Sequence, residues 1–181
     1  GSKRKFHLPY GFVNALPGEN YSFVTYPGYP ENVFKNIQFP FAVKVIDGVF
    51  IGMKKSVWRK FRFSEEISGF HFYDIDISLR TSESLQNYLV NDICVDHFSA
   101  GNFGNEWIDA CIRFNKRTNY PYDAISPKEQ RDVRNYWYGR LSNEKISFGK
   151  RLKYALRMGV NKDTIINCLF FVLGISDKEK K

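Results

Sequence analysis

The run Ser126-Pro127-Lys128-Glu129 constrains the chain most tightly. A serine that can cap, a proline in the first helical position and a glutamate three residues after the serine together predict a helix start at residue 126. That helix is expected to reach about Leu141. Two more helical stretches follow, about 146–158 and 162–173, each closed by a glycine where a helix usually ends, Gly159 and Gly174. Everything after about residue 122 is therefore expected to be helical, and any sheet must come from the residues before it.

Those earlier residues read as mixed α/β. Residues 3–40 are broken so often by Pro and Gly that they predict loops with one short strand, Tyr21 to Tyr26. Residues 42–54, "AVKVIDGVFIGMK", alternate and are β-branched, with Asp47-Gly48 as a turn or bulge, which predicts a strand pair or one bent strand. A helical turn is expected from Ser56 to Lys60 around Trp58. A helix is expected from Asp74 to about Tyr88, with Ile75, Leu79 and Leu85 inward, and a strand over 89–97 ending at His97. Asn105 can cap a helix in which Trp107, Ala110, Cys111 and Phe114 form one apolar stripe.

Composition narrows the partners. With 43% hydrophobic and 17% aromatic residues the chain can bury enough apolar surface to fold. The net charge of +8 favours an anionic partner: nucleic acid, a phosphorylated donor or an acidic membrane surface. The basic residues gather in the tail, and no nucleic-acid-binding pattern accompanies them, so nucleic acid is not expected. The three cysteines, Cys94, Cys111 and Cys168, lack zinc spacing and read as reduced thiols of a cytosolic protein. No secretory signal is visible. The longest apolar run, Cys168 to Leu173, is far short of the roughly 20 residues of a membrane span. Residues 145–158 read as a basic amphipathic helix that can either rest on an anionic membrane or pack on the domain with its basic face solvated. Gly1-Ser2 without a Met looks like a tag-cleavage remnant, so the natural chain is expected to begin further upstream.

The chemistry-bearing stretch is "GFHFYDIDISLR", residues 69–80. Asp74 and Asp76, two apart, cannot share a helix face. At a strand-to-helix junction one can reach into a cleft as a base while the other turns inward and holds the turn. Alternatively, Asp74 caps the helix and Asp76 is an ordinary first-turn acid. Trp58, Phe70, Phe72 and Tyr73 could stack on sugar C–H faces, or belong to the core.

In order, "VIDGVFIGMKKSVW" (45–58), "RFSEEISGFHFYDIDISLR" (62–80) and "VDHFSAGNFGNEW" (95–107) resemble a bacterial glycosyltransferase-like family of GT-A type, the one that includes streptomycin-biosynthesis-like glycosyltransferases. The likeness covers about Phe41 to Pro121. It implies a partial GT-A-like mixed sheet with flanking helices over 1–122, followed by an all-helical extension over 123–181. It also implies an inverting transfer from a nucleotide-sugar donor to a glycan or lipid-linked acceptor, with Asp74 as general base. Tyr73 stands where the wider motif carries Glu, while Asp76 and Arg80 match and are implied to hold the turn. Acceptor contacts are implied for Asp47, Gly48, Trp58, Gly69, Phe70, His71 and Tyr73. His97 is implied as a ligand of a divalent metal (Mn²⁺ or Mg²⁺), whose other ligands would come from an N-terminal donor half not found before Phe41. The expected location is cytoplasmic, with peripheral contact at the inner face of the plasma membrane through 145–158. The alternative is a glycan- or partner-binding module without catalysis.

Overall fold

The structure, a computed structural model, describes residues 38–90, 102–117 and 126–175, the short strands at 6–8, 11–13 and 24–25, and residues 92, 93, 95, 96 and 98. It is a helix-rich mixed α/β fold in two compact units. One comprises Gly1–Lys5 and Pro17–Gly101; the other comprises Phe6–Leu16 and Asn102–Lys181. The second unit begins before the boundary expected near 122, because the helix starting at Asn105 packs with the helices that follow it.

In the first unit, β3 (Val24–Thr25) pairs in parallel with β6 (Val95–Asp96), and β4 (Phe41–Val43) pairs antiparallel with β5 (Asn87–Leu89) in the register Ala42 to Tyr88. Helix α1 spans Lys55–Lys60 and α2 spans Tyr73–Ser82. Val43, Val45, Phe72, Ile75, Ile77 and Leu79 are buried and form this unit's core.

The expected 42–54 strand is regular only to Val43, because side chains replace the ladder beyond it. Asn87 Nδ2 donates to Lys44 O at 2.8 Å and Gln86 Nε2 to Val43 O at 2.9 Å. Ile46 N donates to Ser78 Oγ at 3.1 Å, so the extended chain is tied to α2 rather than to another strand. Helix α2 stops well short of Tyr88. Thr81 and Ser82 turn their hydroxyls back onto Ile77 O and Leu79 O, both at 2.8 Å, and the chain then leaves to pair with β4. Leu85, expected inward, is exposed in that turn. The expected 89–97 strand appears as the separate pieces β5 and β6. The described strands form three two-stranded pairs and do not join into one mixed sheet.

In the second unit, β1 (Phe6–Leu8) and β2 (Gly11–Val13) form an antiparallel pair, with β2 beside α3 (Asn105–Arg117) and α4 (Pro127–Ser142). Helices α5 (Phe148–Met158) and α6 (Ile165–Leu173) complete it. The α3 stripe of Trp107, Ala110, Cys111 and Phe114 is buried as a set. At the start of α4 both halves of the capping box form: Glu129 N donates to Ser126 Oγ at 3.2 Å, and Ser126 N to Glu129 Oε2 at 2.7 Å. The core is aromatic, with Trp107 stacked on Trp137 at 4.9 Å and Tyr138 on Phe171 at 5.4 Å between ring centres.

Helix α5 departs from expectation. Phe148, Leu152 and Leu156 are exposed, while Tyr154, Ala155, Met158 and the cation Arg151 are buried. The guanidinium of Arg151 donates to Ile146 O at 3.0 Å, Phe171 O at 2.7 Å and Glu144 O at 2.7 Å, with a longer approach to Ser142 O. These carbonyls lie at the ends of α4 and α6 and just before α5, where helix geometry leaves acceptors without intrahelical donors and the dipole is negative. A buried cation therefore caps two helix ends. Among the described residues no helix is long and apolar enough to cross a membrane.

Candidate functional site

Two left-handed residues, Gly69 at φ 96° and Phe72 at φ 72°, bend the chain into α2. The conformation comes easily to glycine but is strained for phenylalanine. Burial of the Phe72 ring helps hold it, and Asp76 N closes the first helical turn onto Phe72 O at 2.9 Å. Tyr73 and Asp74 thus open the helix beside the 46–48 segment.

Asp74 accepts from Gly48 N through Oδ2 at 2.8 Å and from Ile75 N through Oδ1 at 2.9 Å. The N-cap residue is Phe72, which makes no side-chain cap bond, and Asp74 Oδ1 instead serves one first-turn amide, that of Ile75. Ser78 Oγ donates to Asp74 O at 2.6 Å and also contacts Ile46 O, fastening the helix to the segment that carries Gly48. The fit is close at Gly48. A Cβ there would lie 2.5 Å from Tyr73 Oη and 3.1 Å from Asp74 Oδ2. Asp47 faces the same place, its Oδ1 accepting from Val49 N at 3.2 Å.

Burial pushes the Asp74 carboxyl above its ordinary 3.8; the nearby Asp47 charge adds to this, while the amides of Ile75 and Gly48 pull the other way. Burial likewise raises the Tyr73 phenol, with Asp74 and Asp47 adding to it. Among the described residues Asp74 has no cationic partner within salt-bridge distance.

Asp76 has a different setting. It is buried, and its Oδ2 accepts from Arg80 Nε at 2.8 Å and pairs with Arg80 Nη2 at 2.7 Å. Arg80 also donates to Arg62 O at 2.6 Å, so this pair ties α2 to the loop before it.

That loop supplies an aromatic wall. Trp58 meets Phe63 edge-on at 5.3 Å, Phe63 meets Tyr73 at 5.4 Å, and Phe70 lies 6.2 Å from Tyr73 and 5.8 Å from His71. Phe70 is 80% exposed. Gly69 serves the turn, and open space surrounds it. The structure therefore brings Asp47, Gly48, Tyr73 and Asp74 together, with Trp58, Phe70 and His71 joined to them through rings.

Three contributors escaped the sequence reading: Phe63, which joins Trp58 to Tyr73, and Ser78 and Asn87, which hold 44–48 in place. Ser78, four residues after Asp74 in a helix, carried a local signal, since a mid-helix Ser tends to bond back to the i−4 carbonyl.

His97 and Cys94 lie outside the described residues. Among those described, no group of three or more His, Cys, Asp or Glu side chains is placed to hold an ion, so they do not by themselves compose the divalent-metal site that the resemblance implies. Comparison with family models, with curated proteins and with solved structures finds no match to this chain.

Proposed function

We propose that the first unit carries the acceptor side of a sugar-transfer site, with Asp74 as general base. The observation that carries this reading is the Asp74 carboxylate itself. It is half-buried, has no cationic partner among the described residues, is raised in pKa and stands beside an aromatic wall in which Phe63 and Phe70 are exposed. A carboxylate moved toward neutral pH is a better proton acceptor than a salt-bridged one and is ionised when the acceptor arrives. Backbone N–H groups of Gly48 and Ile75 bond one to each carboxylate oxygen, and the carboxylate still has acceptor capacity for a hydroxyl. Phe70, exposed at the end of the wall, offers a ring to the C–H surface of a sugar.

In the proposed step Asp74 takes the proton of an acceptor hydroxyl. The freed oxygen attacks the anomeric carbon of a nucleotide sugar from the opposite face. The bond to the diphosphate breaks, the nucleoside diphosphate leaves with the electron pair, and configuration inverts. Asp76 and Arg80 keep α2 and the aromatic loop in register. A nucleotide-sugar donor and a glycan or lipid-linked acceptor would place the reaction on the cytoplasmic side.

The test is nucleoside diphosphate release from a panel of nucleotide sugars with glycan acceptors and Mn²⁺, for the protein and its Asp74→Asn variant. The variant is expected to lose roughly 10²- to 10⁴-fold in turnover while still binding acceptor. Unchanged turnover in the variant would remove Asp74 from the chemistry. Glycan binding without turnover in either protein would favour the alternative, a binding module built on the aromatic wall.

A further inference from the structure

We infer that the α5–α6 face of the second unit docks on an anionic phospholipid bilayer, a property independent of the sugar-transfer reading. Soluble domains scatter exposed apolar side chains singly; here they recur at helical spacing on two neighbouring helices that pack together. On α5 the exposed residues are Phe148, Leu152 and Leu156, at i, i+4 and i+8; Leu156 is 74% exposed. On α6 they include Ile166, Leu169 and Leu173, with Ile166 and Leu173 each 64% exposed. Each helix also has a separate buried set, Tyr154, Ala155 and Met158 on α5 and Cys168 and Phe171 on α6, so core packing is already satisfied without the exposed residues.

Charge selects the occupant. From Lys145 to Lys162 the chain carries six Lys or Arg and no Asp or Glu. Arg151 is spent inside and Lys150 pairs with Asp109, but Lys145 and Lys153 are exposed, as is Lys162 beside the exposed Asp163, and none of the three lysines has an ion pair to a described residue. Cations flanking exposed Leu and Phe on a helix suit an interface in which the apolar side chains enter the acyl boundary and the lysines meet lipid phosphates. At 11 and 9 residues, α5 and α6 are too short to span a bilayer and fit lying on one.

The experiment is co-sedimentation of the whole chain with phosphatidylcholine vesicles, with and without phosphatidylglycerol, at low and high salt. The expected result is binding to the anionic vesicles that weakens with salt, and little binding to the neutral ones. Lys145→Ala and Lys153→Ala should each weaken it about fivefold. The Leu156→Asp/Leu169→Asp double variant should abolish it with circular dichroism unchanged, because both leucines are already solvated. Equal binding to neutral and anionic vesicles, no binding at all, or an unimpaired double variant would each overturn the proposal. So would a wild-type dimer that the double variant dissolves while no vesicle binds, since the face would then belong to a second copy.

Discussion

Arg151 offers the sharpest test of how the helical unit is held. It is 6% exposed and reaches two carbonyls of the α4–α5 connection and one of α6, with three bonds of 3.0 Å or less. Hydrogen bonds to a charged group are worth about 1.5–3 kcal/mol each, so the three together contribute about 5 kcal/mol or more. Arg151→Met removes them and takes from Ile146 O the donor it has in Arg151, while the linear side chain keeps most of the stem packing. Relief from burying a cation with no carboxylate offsets part of that loss, by about 2 kcal/mol. The net expectation is a destabilisation of about 3 kcal/mol, a large share of the 5–15 kcal/mol typical of a domain. Arg151→Lys is the discriminating variant. It keeps the desolvation cost, but one ammonium cannot reach three separated carbonyls, so it should cost at least as much as Arg151→Met. Urea unfolding followed by the fluorescence of Trp107 and Trp137, both buried in this unit, reads the two values. If Arg151→Lys stays within about 0.5 kcal/mol of wild type, positive charge rather than the fork of donors holds the helix ends, and the reasoning is wrong.

Gly48→Ala should destabilise the first unit by about 1–3 kcal/mol, because the new Cβ collides with Tyr73 Oη. Tyr73→Phe in the same chain should recover part of that loss, and strict additivity in the double-mutant cycle would refute the clash. Tyr154→Phe should be neutral or stabilising by about 1 kcal/mol, since the Tyr154 hydroxyl is buried without a hydrogen-bond partner among the described residues; a clear thermal destabilisation would contradict this. For Asp74, the folded carboxyl holds its proton above the ordinary 3.8, whereas the unfolded chain releases it there. Across that window the folded state binds the extra proton, so stability falls as pH rises. Measured by urea unfolding at several pH values, wild type should therefore lose stability relative to Asp74→Asn on going up from about pH 4. The opposite slope would mean that the two amides outweigh burial.

Local signals carried as far as their partners were local. The α4 start was legible because Ser126 and Glu129 satisfy each other within four residues. The α3 stripe was legible because one face of one helix is buried. The 42–54 region was misread because the bonds that decide it join residues far apart: Asn87 reaches Lys44, and Ile46 and Gly48 reach Ser78 and Asp74; the end of α2 likewise depends on pairing of 87–89 with distant β4. Periodicity says nothing about a side chain that replaces a ladder. The candidate site divides the same way. Asp74 and Asp76 stood out as junction acids, and their different surroundings follow from the turn at Phe72. The closeness of Gly48, 26 residues away, had no local mark.

Helix α5 shows why a correctly placed helix can still leave its inward face open in the sequence. Its sequence offers two apolar stripes, Phe148-Leu152-Leu156 and Tyr154-Ala155-Met158, and spacing alone cannot rank them. Neighbours decide. Tyr154 meets Phe171 edge-on at 5.9 Å and Trp107 at 6.3 Å, joining two aromatic groups of the core. The Phe148 stripe has no comparable ring contact among the described residues. Arg151 reinforces the choice. Turned inward it finds the carbonyls of two helix ends; turned outward it would leave them to water. Burying the Tyr154 side therefore satisfies rings and carbonyls together, and the aliphatic stripe is the one left exposed. An amphipathic pattern identifies faces, but the polar groups waiting in the core determine which face goes in.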